Sequence, residues 1–240
     1  MSLQPKKRPG PVASPPRPSG HDARKSEITR EKILSAARTV FSEHPYKAAS
    51  MRMIGKTGGF DHPLIHYYFP SKAELFEAVV AEICDDFYRN SMSWFDGLDR
   101  LLPKDGLPLY IDRFLDYNFK HPEAFKIISL NSSQFDKLSE IPGYLHIPEV
   151  LAKTRRTFEE NVPLQAPSAE VGKFINSFNS LVIFYLGSAS CQAEVLGMEP
   201  GSNEYRIWVK ETLIYVFLPL LEKLILPDQS SRTAAPKRGE

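Results

Sequence analysis

"SMRMIGKTGGFDHPLIHYYFPSKAELF", Ser50 to Phe76, is the stretch whose reading decides the fold. Ser50 is placed to cap a helix of about two turns, "MRMIGKT", which Gly58-Gly59 stops. Asp61 is placed to cap a second short helix, whose early Pro63 is tolerated because first-turn N–H groups have no helical partner. Phe69-Pro70 ends that helix, since the residue before proline is driven from helical backbone. Ser71 and Glu74 then read as a capping box opening a long helix with Leu75, Phe76, Val79, Val80, Ile83 and Phe87 on one stripe. Helix, glycine turn and helix therefore fit within some twenty residues, with Phe60, Ile65 and Phe69 expected on the core side.

Working outward, an earlier helix shows Ile33, Ala36, Ala37, Val40 and Phe41 at three- and four-residue steps, with Thr29 as its expected N-cap and His44-Pro45 as its end. Downstream, helical periodicity predicts segments near 107–120, 122–135, 147–161, 168–197 and 203–226. No segment sustains strand alternation. The expected fold class is all-α: an N-terminal three-helix helix-turn-helix domain and a larger C-terminal helical domain. The domain reading is 1–24 as a disordered basic, Pro-rich tail, 25–85 as the helix-turn-helix domain, 86–226 as the helical domain, and 227–240 as a second disordered tail.

Charge supports a polyanion partner. The chain carries a formal net charge of +1, but residues 1–72 hold 13 Lys+Arg against 5 Asp+Glu and residues 73–240 hold 17 against 24. A basic front and an acidic remainder suit a domain that meets nucleic acid. The Pro-rich segment before it adds Lys6, Lys7, Arg8 and Arg17, which suit non-specific phosphate attraction. Cys84 and Cys191 lie far apart in helical sequence, which excludes a disulfide framework or a Cys-based zinc motif and points to a reduced, cytoplasmic setting. Met1 to Gly20 lacks the apolar run of a secretory signal, and the longest uncharged stretch, Phe174 to Ala193, is interrupted by Asn176, Asn179, Gln192 and serines. No membrane partner is expected.

His62 and His66 stand four residues apart, the spacing that puts two imidazoles on one helical face. A metal pair would need further ligands, and only Asp61 lies near, so no metal or other cofactor is expected. The chain also lacks a GxSxG elbow, a P-loop, a dinucleotide glycine pattern and an HExxH motif, which argues against an enzyme. The alternatives to a DNA-binding regulator are a helical protein-interaction module and, more remotely, an enzyme.

The stretch from Thr29 to Val80 resembles the N-terminal domain of the tetracycline-repressor (TetR) family of transcriptional regulators. The resemblance rests on the Ile-x-x-Ala-Ala-x-x-x-Phe first helix, Ser-Met-Arg-x-Ile in the second, the Gly-Phe-Asp turn and the closing Tyr-Phe-x-Ser-Lys-x-x-Leu. It implies a homodimeric repressor that binds a palindromic double-stranded DNA operator and is released by a small-molecule effector. By the same resemblance the DNA-facing set is Ser50, Arg52, His62, Pro63, Leu64, His66, Tyr67, Tyr68 and Lys72. Arg52 would meet a phosphate or base edge, His62, Pro63 and Leu64 the bases, the aromatic groups base edges or phosphate, and Lys72 a phosphate. His66 stands where the family usually has tyrosine, Pro63 where glycine is commoner, and Gly55 and Gly58 where alanine is commoner.

The resemblance further implies an effector pocket between the middle helices and dimerisation through the last two. Aromatic residues Phe114, Tyr117, Phe119, Phe125 and Tyr144, with Asn131 and Gln134 of the polar run "NSSQ", are the expected ligand contacts. The last helix carries a broad apolar stripe including Trp208, Leu213 and Phe217, and the one before it carries Phe178 and Tyr185 ahead of the small-residue run that begins at Gly187. These six are the expected dimer contacts.

Overall fold

The computed structural model describes residues 20–132 and 137–225. Ten α-helices follow one another among them, with no strand: α1 (Gly20–Glu43), α2 (Met51–Gly58), α3 (His62–Tyr68), α4 (Lys72–Ser93), α5 (Pro103–Lys120), α6 (Glu123–Ser132), α7 (His146–Asn161), α8 (Ser168–Gly187), α9 (Ala189–Leu196) and α10 (Asn203–Ile225). The all-α expectation holds. The expected tail at 227–240 and most of that at 1–24 lie outside the described residues.

Several local expectations change. α1 begins at Gly20, so 20–24 are helical rather than tail. Thr29 is not its N-cap: it sits inside the helix, where its hydroxyl donates to the Lys25 carbonyl at 3.0 Å, a bond a helix interior offers Thr. The segment 168–197 is not one helix. It breaks at Ser188, and α8 and α9 diverge by 78°. Among the described residues no single helix is long and apolar enough to cross a membrane, and the bent α8–α9 pair passes only when joined.

Two apolar cores result. The first joins α1 to α4, with Ile33, Phe41, Ile54, Ile65, Leu75 and Phe76 fully buried, and it continues into α6 and α7 through Ile127 and Ile147. The second is built from α5, α8 and α10 around Ile111, Phe114, Phe174, Val209, Leu213 and Phe217. The boundary expected at 85/86 is therefore not a break in packing, because α4 runs through it and α6 lies against α1. Phe87 on α4 touches both cores, with edge-on contacts to Trp94 at 5.3 Å, Tyr117 and Phe125 at 6.0 Å and Phe114 at 6.4 Å. Arg38 of α1 adds polar ties to Glu82 of α4 (3.0 Å) and Glu123 of α6 (3.4 Å).

Asn131 shows how α6 holds the front. Fully buried, it accepts from the Tyr46 N–H at 2.8 Å and donates to the Ile127 carbonyl at 2.8 Å. Its amide thus ties the loop before α2 to the second half of the chain, which removes it from the ligand contacts; Gln134 lies outside the described residues. Truncating it strands a buried N–H, at a cost of about 1–3 kcal/mol. Asn131→Ala should lower unfolding stability by about 2 kcal/mol in urea denaturation, whereas a residue needed only for a ligand would leave ligand-free stability unchanged.

Candidate nucleic-acid interface and helical cavity

α2 and α3 meet at a turn that side chains would obstruct. Gly59 caps α2 at φ 70° and donates its N–H to the Gly55 carbonyl, a left-handed backbone that glycine adopts without penalty. A Cβ on Gly55 would stand 2.7 Å from the Phe60 carbonyl oxygen. The close crossing fixes α3 against α2, with Ile65 and Phe69 fully inside and Phe60 only partly buried.

Caps set the starts. The Ser50 hydroxyl accepts from the Met53 N–H at 3.3 Å. Asp61 occupies the N-cap of α3 but makes no side-chain cap bond, so its expected capping role is not met. At α4 the Ser71 hydroxyl accepts from the Glu74 N–H at 3.1 Å, while the Glu74 carboxylate accepts from that hydroxyl at 3.0 Å instead of from backbone, leaving the box half made.

Of the residues expected to face DNA, Arg52, His62, Pro63 and Tyr67 are exposed, Tyr67 at 79%, and Ser50, Leu64, His66, Tyr68 and Lys72 are half-buried. Tyr68 packs against the first core and meets Tyr67 edge-on at 5.2 Å. Lys72 is more engaged than its expected role suggests. Its ammonium donates to the carbonyls of Tyr46 (2.7 Å) and Ala49 (2.9 Å) and lies 4.4 Å from the Tyr46 ring centroid. Burial lowers its pKa from the ordinary lysine value. Lys72 thus pins the loop before α2 to the start of α4.

The two histidines bond each other. His66 Nδ1 lies 3.0 Å from the Pro70 carbonyl, which can only accept, so that nitrogen carries a proton. In the neutral pair His66 Nε2 is then the acceptor for His62 Nε2–H at 3.2 Å, and His62 keeps Nδ1 as an open acceptor. Among the described residues no group of three or more His, Cys, Asp and Glu side chains is placed to hold a metal ion.

The second feature is a cavity of about 150 Å³ between the start of α5, the end of α7, α8 and the end of α10. Phe95, Leu98, Tyr110, Phe158, Phe178 and Leu221 form much of its wall. A smaller one, about 50 Å³, lies against Ile83, Cys84 and Phe87 of α4, and Asn179 of α8 touches both. Of the expected ligand residues, Phe114 and Phe125 line the smaller cavity. Phe119 lines neither cavity; it packs on the second core beneath the Arg206 guanidinium, 5.8 Å from its ring. Tyr144 is a core residue whose hydroxyl donates to the Ile128 carbonyl at 2.7 Å, and Tyr117 packs on Phe87. The larger cavity is walled by the 95–102 connection and the α7–α8 junction, which carry no helical stripe to reveal them in sequence. Cys84 is buried and its thiol is pushed up to about 12, first by burial and then by Asp85 and Glu149, so it stays protonated at neutral pH.

With this geometry in place, comparison with known proteins bears on the front of the chain. Residues 33–79 match the model of bacterial regulatory proteins, tetR family. This N-terminal stretch is therefore similar to the family's regulatory proteins over those residues. It is 31% identical over 113 residues to the HTH-type transcriptional repressor NicS of Pseudomonas putida, an alignment covering 47% of this chain and 52% of that one. The chain thus spans about half the length of that curated relative. Its fold resembles a putative TetR-family regulator from Mesorhizobium loti (TM-score 0.59, 15% identity, 82% of this chain and 95% of that one). It likewise resembles the regulator FadR of Bacillus subtilis in complex with stearoyl-CoA (TM-score 0.58, 14% identity, 82% and 99%).

The glycine crossing is directly testable. Gly55→Ala should cost about 1–3 kcal/mol of stability in thermal or urea unfolding, because the new methyl meets the Phe60 backbone rather than a side chain that can swing aside.

Proposed function

We propose that this chain is a DNA-binding transcriptional regulator, a cytoplasmic repressor that grips a palindromic operator as a homodimer and releases it when a small molecule binds. The exposed edge of α3, braced by α2 and by the start of α4, carries this reading. A helix of this kind presents base-reading groups at its first turns and phosphate-binding groups at its flanks. Arg52 and Tyr67 suit phosphate, and the apolar Pro63 and Leu64 suit a thymine methyl. His62 offers an acceptor at Nδ1, which fits the exocyclic amine of cytosine or adenine. Lys72 spends two of its three N–H donors on carbonyls and keeps the third for a phosphate.

Dimerisation would use different residues from those expected. Leu213 and Phe217 are fully enclosed within one protomer and Phe178 nearly so, while a Cβ on Gly187 would meet the Phe125 carbonyl oxygen at 2.5 Å, so its smallness serves packing on α6. Tyr185 and Trp208 are half-buried against each other, ring centroids 5.3 Å apart. The outward apolar groups of α8 and α10 are Phe184 (47% exposed), Ile207 (46%), Tyr215 (84%) and Leu220 (40%), and these are the proposed contacts. Two such helices from each protomer give a four-helix interface that sets two α3 helices one DNA turn apart, about 34 Å.

Effector control would run along α4, which starts beside α3 and ends beside the larger cavity at Phe95 and Leu98. A ligand shifts the equilibrium only if it prefers the DNA-incompetent spacing.

Footprinting on DNA flanking the chain's own gene should show protection of a palindrome by the ligand-free protein; no sequence-specific protection would overturn the proposal. Lys72→Ala should weaken binding to all sequences and reduce the salt slope by about 1, whereas His62→Ala should change which operator is preferred by about 1–3 kcal/mol. For the dimer, Ile207→Glu should yield folded monomers in sedimentation runs. Phe217→Ala should instead lower stability by about 3–5 kcal/mol.

A further inference from the structure

We infer that the larger cavity takes a neutral, single-ring aromatic molecule bearing one hydrogen-bond acceptor, with Tyr110 as the donor that recognises it. The regulatory consequence of such a ligand rests on the effector reading above; the ligand class does not.

Size sets the first limit. A volume of about 150 Å³, lined mostly by aliphatic and aromatic side chains and open to solvent on one side, matches the space that holds one benzene ring. The wall itself is aromatic. Phe95 and Tyr110 have ring centroids 5.1 Å apart, Phe158 and Phe174 stack at 5.6 Å, and Tyr110 meets Phe178 at 6.3 Å. Such faces and edges favour another ring over an alkyl chain, through offset and edge-on contacts.

Charge sets the second limit. Among the described residues no Lys, Arg or His lines the cavity, and its one ionisable carboxylate, Asp99, is exposed beside Leu101 and Leu102. A carboxylate or phosphate entering here would shed its hydration and gain no partner. A cation could pair only with Asp99, where water screens the attraction.

Polarity sets the third. Tyr110 is half-buried on the cavity wall, and its hydroxyl is open to an acceptor there. Burial raises its pKa well above the ordinary tyrosine value, so it remains an O–H donor. Of the neighbouring polar groups, Thr154 donates to the Leu151 carbonyl at 3.1 Å and the Asn161 amide donates to the Thr157 carbonyl at 2.8 Å, while the half-buried Asn179 adds an amide to the wall. Tyr110 therefore offers a donor to a carbonyl, ether or hydroxyl oxygen on the ring. Leu101 and Leu102, 41% and 62% exposed, form an apolar rim through which an uncharged molecule can enter.

Four probes of matched size test this on the full chain by calorimetric titration: acetophenone, ethylbenzene, benzoate and benzylamine. Acetophenone should bind most tightly, with benzoate and benzylamine weaker by about tenfold or more. Tyr110→Phe should weaken acetophenone about three- to tenfold while leaving ethylbenzene unchanged. Leu98→Trp, which fills the cavity from a half-exposed position, should abolish binding of both. Benzoate binding as tightly as acetophenone, an unchanged acetophenone affinity in Tyr110→Phe, retained binding in Leu98→Trp, or no binding by any probe would each overturn the inference. Operator affinity with and without acetophenone separates the two claims. Binding without any change in operator affinity supports the ligand class and overturns the effector reading.

Discussion

One uninterrupted helix, α4, is the element on which the rest depends. Lys72 to Ser93 contains neither proline nor glycine, so the backbone has no place to bend cheaply. Its first half seals the core beneath α2 and α3 with Leu75, Phe76 and Val79, and Phe87 further along reaches the second core. At its N-terminal end Lys72 pins the loop that leads into α2. At its far end Trp94 and Phe95 pass into the cluster around Tyr110. Any change of angle in this rod must therefore be felt at both ends, because packed cores do not absorb such movement continuously.

The front of the chain also leans on the back. Asn131 holds the Tyr46 N–H, Arg38 reaches Glu82 and Glu123, and α6 lies along α1. A DNA-binding unit drawn as 25–85 would lose these ties. Apolar contacts from Ile127, Tyr144 and Ile147 complete its core, so the unit that positions α3 extends beyond the segment that resembles other regulators. The second core is fastened in turn by Lys210 to Asp112 at 2.6 Å and Arg206 to Asp116 at 2.5 Å, both joining α10 to α5.

The sequence by itself determined the helical class and the glycine turn between α2 and α3. Those signals are local: a cap lies within four residues of the N–H it serves, and an amphipathic stripe repeats within two turns. Ser50, Gly59 and Ser71 do what their positions require, and Ile65 and Phe69 fall inward. Tertiary structure decided the rest. An apolar stripe says that a face is covered, but not whether by the same chain or a second copy; Leu213 and Phe217 prove to be covered from within, leaving Ile207 and Tyr215 outside. Asn131 reads as a ligand group because it opens the polar run "NSSQ", yet its amide oxygen accepts from the Tyr46 N–H, 85 residues away. The larger cavity joins Phe95, Phe158 and Phe178, which no sequence period relates, since empty space is a property of how helices fail to meet.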